Sequence, residues 1–209
     1  ELLKYSVPAA KKDVLEPQKL LAKDHKGATL EAWDWSYYAE KLKKQKYNFD
    51  AEQTRPYFEI NNVRQGCFDV ITKLYGLSFT PRTDIQVYEK DVEVYECKNE
   101  KNQHVGILYW DPYTRESKTS GAWCNGYREQ YVKGEKKITP IITVCFNYAK
   151  SPSGRTTLTA EEASTVFHEM GHAIHGLLSN CTYPSTGGTT VPRDFVELPS
   201  QILEHWFSQ

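Results

Sequence analysis

The chain has 209 residues, of which 39% are apolar and 25% charged, and its formal net charge is −1. This composition is that of a globular protein with a core of its own, and the near-neutral balance argues against nucleic acid or an anionic membrane as a partner. No apolar stretch approaches the roughly 20 residues that a membrane-spanning helix needs.

The first third of the sequence, to about residue 80, is expected to be helical. Residues 1–27 are rich in lysine and weakly patterned. The aromatic-rich segment 33–46 predicts a helix with Asp34 as its N-cap. Apolar residues at helical spacing predict a second helix over 62–75, and Gly76 follows at a position where helices commonly end.

The middle third, about residues 81–150, changes to β-branched and aromatic residues. Four segments favour strands, and the polar stretch 98–103 suits a hairpin turn between the first two. We expect these strands to form a small antiparallel sheet; they cover 85–97, 105–110, 119–124 and 138–146.

The last third, residues 151–209, is expected to hold two helices. Thr159 is followed three residues later by Glu162, a capping box that opens a helix running to about Ser179. The final helix is expected to start near Asp194 and to reach at least Phe207. Helices, a small sheet and helices again make an α+β fold, and residues 1–209 are expected to form a single region.

The five cysteines are widely spaced and include no CxxC pair. An odd, dispersed set indicates reduced and mostly buried thiols rather than a disulfide framework or a Cys-based zinc site. We therefore expect a reducing compartment, and a cytoplasmic protein. The five are Cys67, Cys97, Cys124, Cys145 and Cys181.

An HExxH sequence lies inside the capped helix, with His168 and His172 one turn apart and Glu169 between them. Side chains at i and i+4 project from one helix face about 6 Å apart along the axis, so both histidines can reach one tetrahedral zinc ion. Glu169 lies about a quarter-turn away and can reach a water at the metal, as a general base does. The competing interpretation is a solvated polar helix face.

A third ligand is needed, and two residues were weighed. His175 shares the face of the histidines, but it rises about 10.5 Å from His168 along the axis, which favours a place in the cleft wall. Glu197 follows in the final helix; on spacing alone it is equally well explained as a helix N-terminal carboxylate stabilised by the dipole. Two histidines and one glutamate would leave a fourth position for water, the arrangement of catalytic zinc sites.

The segments HEMGHAIHGLL and GTTVPRDFVELPSQILEHW resemble the thimet oligopeptidase family of zinc metallopeptidases, most of all its bacterial peptidyl-dipeptidase and oligopeptidase branch. Upstream segments such as WDWSYYAEK, RPYFEINNV, GILYWDPYTR and SGAWCN are similar to it as well. The resemblance covers about residues 13–209. It implies that His168, His172 and Glu197 bind one Zn²⁺ per chain and that Glu169 is the general base.

The resemblance also implies short peptides as substrates, with release of C-terminal dipeptides as the leading activity. A general oligopeptidase that cuts internal bonds is the alternative, as is an inactive piece with an unfilled zinc site. Members of the family are several times longer, so the remainder of a parent polypeptide is expected to complete the substrate channel. We expect the 209 residues alone to be weakly active or inactive.

Further site candidates carry less support from the sequence. A strand containing Gly121, Ala122 and Trp123 could pair with an extended peptide if it lies at a sheet edge, and a packed interior strand is the alternative. His175 could line the substrate cleft. Asp194 and Glu204 are the acidic candidates for holding the second nitrogen of a ligating histidine, against capping or solvated roles.

Overall fold

The computed structural model describes residues 1–48 and 50–209. They form two compact units, Glu1–Gln53 and Thr54–Gln209. Within the described ranges, no helix is both long and apolar enough to cross a membrane.

The first unit is helical. Its hydrophobic core cluster consists of Leu20, Leu21 and Tyr38. The weakly patterned segment 1–27 forms two helices, and the segment predicted over 33–46 is helical almost as expected. Asp34 accepts from the Glu31 backbone N–H inside a 3₁₀ turn and does not cap the following helix with its side chain. The helices are α1 (Leu3–Asp13), α2 (Leu15–Asp24) and α3 (Trp35–Tyr47).

The second unit opens with α4 (Ile60–Tyr75), after a 3₁₀ segment at Ala51–Tyr57. Glu59 caps α4, because its carboxylate accepts from two free backbone N–H groups of the first turn. Gly76 ends the helix in the left-handed conformation, with φ of 65°. The predicted helix and its end are therefore confirmed.

The α+β class is confirmed, but the central sheet is mixed rather than antiparallel. Its five strands have the order β1-β2-β3-β7-β4. β7 enters between β3 and β4 instead of continuing a hairpin series, and it runs parallel to β3 and antiparallel to β4. A separate hairpin joins β5 and β6. The strands are β1 (Ser78–Pro81), β2 (Glu93–Lys98), β3 (His104–Tyr113), β4 (Trp123–Arg128), β5 (Tyr131–Lys133), β6 (Lys136–Ile138) and β7 (Ile141–Tyr148).

Three strands start three or more residues later than predicted, and one of them, predicted over 138–146, begins at Ile141 since Ile138 belongs to the β5–β6 hairpin. The segment 85–92 is turn and irregular structure, so the first predicted strand shortens to β2. The strand predicted over 119–124 begins only at Trp123, because the Asn147 side-chain amide donates to the carbonyl oxygens of Thr119 and Gly121. Side-chain hydrogen bonds replace the backbone ladder in that stretch.

Two helices close the unit, α5 (Ala160–Leu177) and α6 (Leu198–Phe207). The capping box of Thr159 and Glu162 is present, as predicted. The last helix begins four residues later than expected, with Pro199 in its first turn, where its missing N–H removes no helical bond. A Cβ on Gly171 would lie 2.5 Å from the Ser200 Cα, so the backbones of α5 and α6 are in close contact.

Candidate metal and catalytic site

The α5–α6 contact brings two histidines and one carboxylate together. His168 and His172 lie on successive turns of α5, and Glu197 immediately precedes α6. The Nε2 atoms of both histidines lie 3.2 Å from the same oxygen, Oε2 of Glu197. Among the residues that the structure describes, these three are the group that could hold a metal ion, with ligand atoms within 4.8 Å of one another.

The donor set and its spacing fit zinc. Histidine nitrogen and carboxylate oxygen bind zinc at about 2.0–2.2 Å in tetrahedral geometry, which puts neighbouring ligand atoms roughly 3.3–3.6 Å apart. The observed separation of 3.2 Å from each Nε2 to Oε2 is close to that spacing. Three protein ligands also match the catalytic type of site, in which a fourth position is left for water or substrate.

Glu204 on α6 contacts the other nitrogen of His168, since its Oε1 lies within hydrogen-bonding distance of Nδ1. A carboxylate at Nδ1 holds the imidazole tautomer that leaves Nε2 available to a metal. Asp194, the other candidate for this role, is exposed, and its carboxylate has no hydrogen bond or ion pair with the described residues. Of the two acidic candidates, the structure brings only Glu204 to a histidine.

Glu169 is almost fully buried beside these groups, with a relative exposure of 6%. Its Oε2 has no hydrogen-bond partner among the described residues. Burial raises the pKa of Glu169 to about 7, with the nearby Glu197 charge acting in the same direction and His168 against it. A buried carboxyl group with a raised pKa and a free oxygen is suited to accepting a proton from water.

The pKa shifts of His172 and Glu197 favour the charge states that a metal site needs. Burial lowers the pKa of His172, which favours the neutral imidazole that can donate a lone pair. The hydrogen bond from the Ser200 hydroxyl at 2.8 Å lowers the pKa of Glu197, which keeps it ionised. Nδ1 of His172 is buried and unpartnered within the described part of the chain.

His175 lies one turn beyond His172 and outside the ligand group. Its ring is 6.3 Å from that of Phe195, and it lines a largely apolar cavity of about 370 Å³ between α5, α6 and the segment joining them. This position favours a role for His175 in the wall of the cleft over a role as a ligand, because its place further along α5 keeps it out of the group formed by the two histidines and Glu197.

The three residues 121–123 lie at and before the start of β4, an edge strand of the sheet. Ala122 packs against the core on the side of α5. Trp123 is in register with Cys145, and both side chains line a cavity on the sheet face away from α5, so the Trp123 ring points away from α5. The structure therefore does not bring the Trp123 ring to the candidate site, and peptide pairing along this edge strand stays a prediction.

Cys124 is a neighbour of the site that the sequence did not single out. Burial, together with the charge of Glu169, raises the pKa of its thiol. The thiol therefore stays protonated, as a neutral side chain close to Glu169. The sequence could have indicated this position only through the alternation of side chains along β4. The predicted strand ended at residue 124, so the alternation could not be followed beyond it.

The whole sequence, residues 1–209, matches the family described as Peptidase family M3. It is 40% identical over 208 residues to dipeptidyl carboxypeptidase of Salmonella typhimurium, covering 97% of this chain and 30% of the relative. Dipeptidyl carboxypeptidase of Escherichia coli is 38% identical over 206 residues (96% and 30%), and oligopeptidase A of Escherichia coli is 34% identical over 209 residues (99% and 31%). The chain thus spans about 30% of the length of these curated relatives.

Proposed function

Because the chain belongs to Peptidase family M3, we propose that it carries the zinc site and general base of an enzyme that hydrolyses short peptides. The observation that carries this proposal is the convergence of the two histidine Nε2 atoms on one Glu197 oxygen, each at 3.2 Å. His168, His172 and Glu197 would hold the ion, and the buried Glu169 carboxylate lies next to them.

In the proposed hydrolysis, zinc would activate the peptide carbonyl and the water, and residues of the protein would transfer the proton and hold the ligands in position. When bound, zinc polarises the scissile carbonyl and lowers the pKa of water toward about 7. Glu169 accepts the proton of the attacking water at its unpartnered Oε2 and delivers it to the departing amine. Glu204 holds the His168 ring in position through Nδ1.

The release of C-terminal dipeptides is the specific activity that we propose. Its support is the identity with proteins named dipeptidyl carboxypeptidase, at 40% and 38%. Cleavage of internal bonds is the second candidate, supported by the 34% identity with proteins named oligopeptidase A. A substrate with an amidated C-terminus separates them, because an enzyme that reads the free carboxylate loses activity on it and an endopeptidase does not.

Substrate binding needs more than these residues in our proposal. The chain spans about 30% of its curated relatives, and we propose that further polypeptide completes the substrate channel and supplies donors to the transition state. Loss of one such donor costs about 2.7–4 kcal/mol of transition-state stabilisation. The 209 residues alone should then turn peptides over weakly or not at all.

We further propose a cytoplasmic location. The support is the dispersed set of five free thiols, three of them buried, which a reducing compartment preserves. Fractionation of cells that express the native protein tests this, and recovery from an oxidising compartment would contradict it.

The zinc proposal is tested by the metal content of the chain. Elemental analysis after dialysis should give close to one zinc per chain for the native sequence and a clear loss for Glu197→Ala. Glu161→Ala, a change of an exposed glutamate in the first turn of α5, is the matched control and should retain the metal. A native chain that folds but binds no zinc would contradict the proposal.

A further inference from the structure

A second cavity, lined mostly by polar side chains, lies on the sheet face opposite α5. Along β7, Ile142 faces α5, since its side chain lies 2.8 Å from where a Cβ of Gly176 would be. Side chains alternate along a strand, so Thr143 and Cys145 point to the other face. There they line a cavity of about 220 Å³.

One wall of this cavity is a buried carboxylate, Asp111, with a relative exposure of 2%. Its oxygens accept hydrogen bonds or ion-pair contacts from four side chains. The donors are Tyr88 at 3.0 Å, Arg115 at 2.8 Å, Lys118 at 2.9 Å and the Cys145 thiol at 3.7 Å. Asp111 is therefore fully partnered and has no capacity left for a ligand in the cavity.

The cations around Asp111 outnumber it. Arg115 and Lys118 carry two positive charges against one, and the cavity lining contains no second acidic residue among the described residues. Lys118 is occupied, because its ammonium group also donates to the carbonyl oxygens of Asp111, Tyr113 and Phe146. The surplus positive charge is therefore available on Arg115.

Arg115 uses only part of its guanidinium group. Its Nη1 donates to Asp111, and its central carbon lies 5.6 Å from the centre of the Tyr88 ring. Its other N–H groups have no hydrogen bond to a described residue, and the side chain is 27% exposed. A guanidinium edge of this kind pairs with a planar anion through two parallel hydrogen bonds.

Thr143 supplies a second, independent indication of a ligand. Its relative exposure is 3%, and its hydroxyl has no hydrogen-bond partner within the described part of the chain. An unpartnered buried hydroxyl costs free energy, so native proteins rarely keep one without a ligand or water. Trp123 completes the lining with an apolar ring.

We propose that this cavity binds a small carboxylate, held by the remaining N–H groups of Arg115 and the Thr143 hydroxyl and packed against Trp123. A single surplus charge matches a carboxylate monoanion better than a phosphate, whose charge near neutral pH is about −1.5 to −2. The cavity is independent of the metal site, because its donors lie on the other face of the sheet.

The test follows the indole N–H signal of Trp123 by NMR while sodium acetate is added to the ¹⁵N-labelled chain, with sodium chloride and sodium phosphate at equal ionic strength as parallel titrations. Trp123→Phe assigns the signal. We expect a saturable shift with acetate and none with chloride. The signal of fully buried Trp110, with 1% exposure, reports whether each variant remains folded.

Two variants and one control decide the outcome. Thr143→Val keeps the side-chain volume, removes no hydrogen bond within the described chain, and should weaken acetate binding about fivefold. Arg115→Gln should weaken it about tenfold or more. Lys133→Gln removes the same charge on exposed β5 and should leave the affinity unchanged.

The proposal is overturned by a shift that grows linearly without saturation or that chloride reproduces. It is also overturned if phosphate saturates the signal and acetate does not, or if folded Thr143→Val binds acetate as the native chain does. If Lys133→Gln and Arg115→Gln weaken acetate binding equally, the binding depends on the net charge of the protein and not on this cavity, and the proposal is overturned as well.

Discussion

Two buried carboxylates, one on each face of the sheet, are held in opposite ways. Asp111 and Glu169 are similarly inaccessible, with relative exposures of 2% and 6%. Asp111 receives contacts from four donor side chains, whereas one oxygen of Glu169 has no partner among the described residues.

Their pKa values shift in opposite directions for this reason. Burial raises the pKa of both, but at Asp111 the hydrogen bonds from Arg115 and Lys118 outweigh it and the net shift is downward. At Glu169 burial prevails and the pKa rises to about 7. A buried carboxylate with its full set of donors is held ionised, whereas a buried carboxyl group without them is available for proton transfer.

Of the substitutions that test this difference between the two carboxylates, the one at Glu169 is expected to have the largest effect. In protein with measurable peptidase activity, Glu169→Gln should lower kcat about 10²–10⁴-fold, because the amide cannot accept the proton of water. Zinc content should stay unchanged, since Glu169 is not in the ligand group. Steady-state kinetics on a fluorogenic peptide measures the rate, and Glu161→Gln on the exposed start of α5 is the control. Substantial retained turnover would sink the assignment of the base.

At Asp111 the expected effect is on stability. Asp111→Asn leaves the ammonium group of Lys118, whose side chain is 2% exposed, without its counter-charge. The free energy of unfolding should fall by about 3–5 kcal/mol, as measured by urea denaturation at neutral pH.

Asp84→Asn is the matched control, because Asp84 pairs with Arg82 at the surface and its loss should change stability little. The effect of Asp111→Asn also has a pH signature. A carboxylate whose pKa is lower in the folded than in the unfolded state adds to the free energy of unfolding. This contribution is complete above the unfolded pKa of about 3.9 and is lost as the pH falls through the folded pKa. The difference between native and variant proteins should therefore shrink as pH falls below that value; a difference independent of pH would contradict the charge argument.

The smallest of these effects is expected at Glu204, which contacts Nδ1 of the candidate metal ligand His168. Glu204→Gln removes the negative charge at Nδ1 and should weaken zinc binding about 10–100-fold. Competition with a zinc-binding dye measures the affinity, and Glu135→Gln in the exposed β5–β6 turn serves as control. Equal affinities in variant and native chain would mean that the contact does not orient the ligand.

The parts of this fold that the sequence predicts are those with local causes. The capping box at Thr159 and the glycine that ends α4 each depend on residues of a single helix, and both are present. The mixed sheet was not predictable in this way, because β7 pairs with β3 across about 30 intervening residues. The start of β4 also depends on a distant residue, Asn147.

In the candidate site, too, the features with local causes could be predicted from the sequence and those that depend on distant residues could not. The spacing of His168 and His172 is local, and the expected geometry is present. Spacing alone left Glu197 undecided and offered Asp194 and Glu204 equally, because the crossing of α5 and α6 determines which carboxylate reaches which nitrogen. The Asp111 cluster was missed altogether; its signal was an acidic residue next to the apolar run of β3.

Gly171 has a consequence for engineering this protein. Replacing helical glycine with alanine usually stabilises by about 0.5–1 kcal/mol, and Gly66 in α4, with open space around its Cα, offers that gain. At Gly171 the added methyl group would meet the Pro199 carbonyl oxygen at 2.6 Å and push α6 outward. Because α6 carries Glu204 and follows directly from Glu197, alanine at position 171 should both destabilise the protein and displace two carboxylates of the candidate metal site, so libraries built for stability should keep Gly171 unchanged.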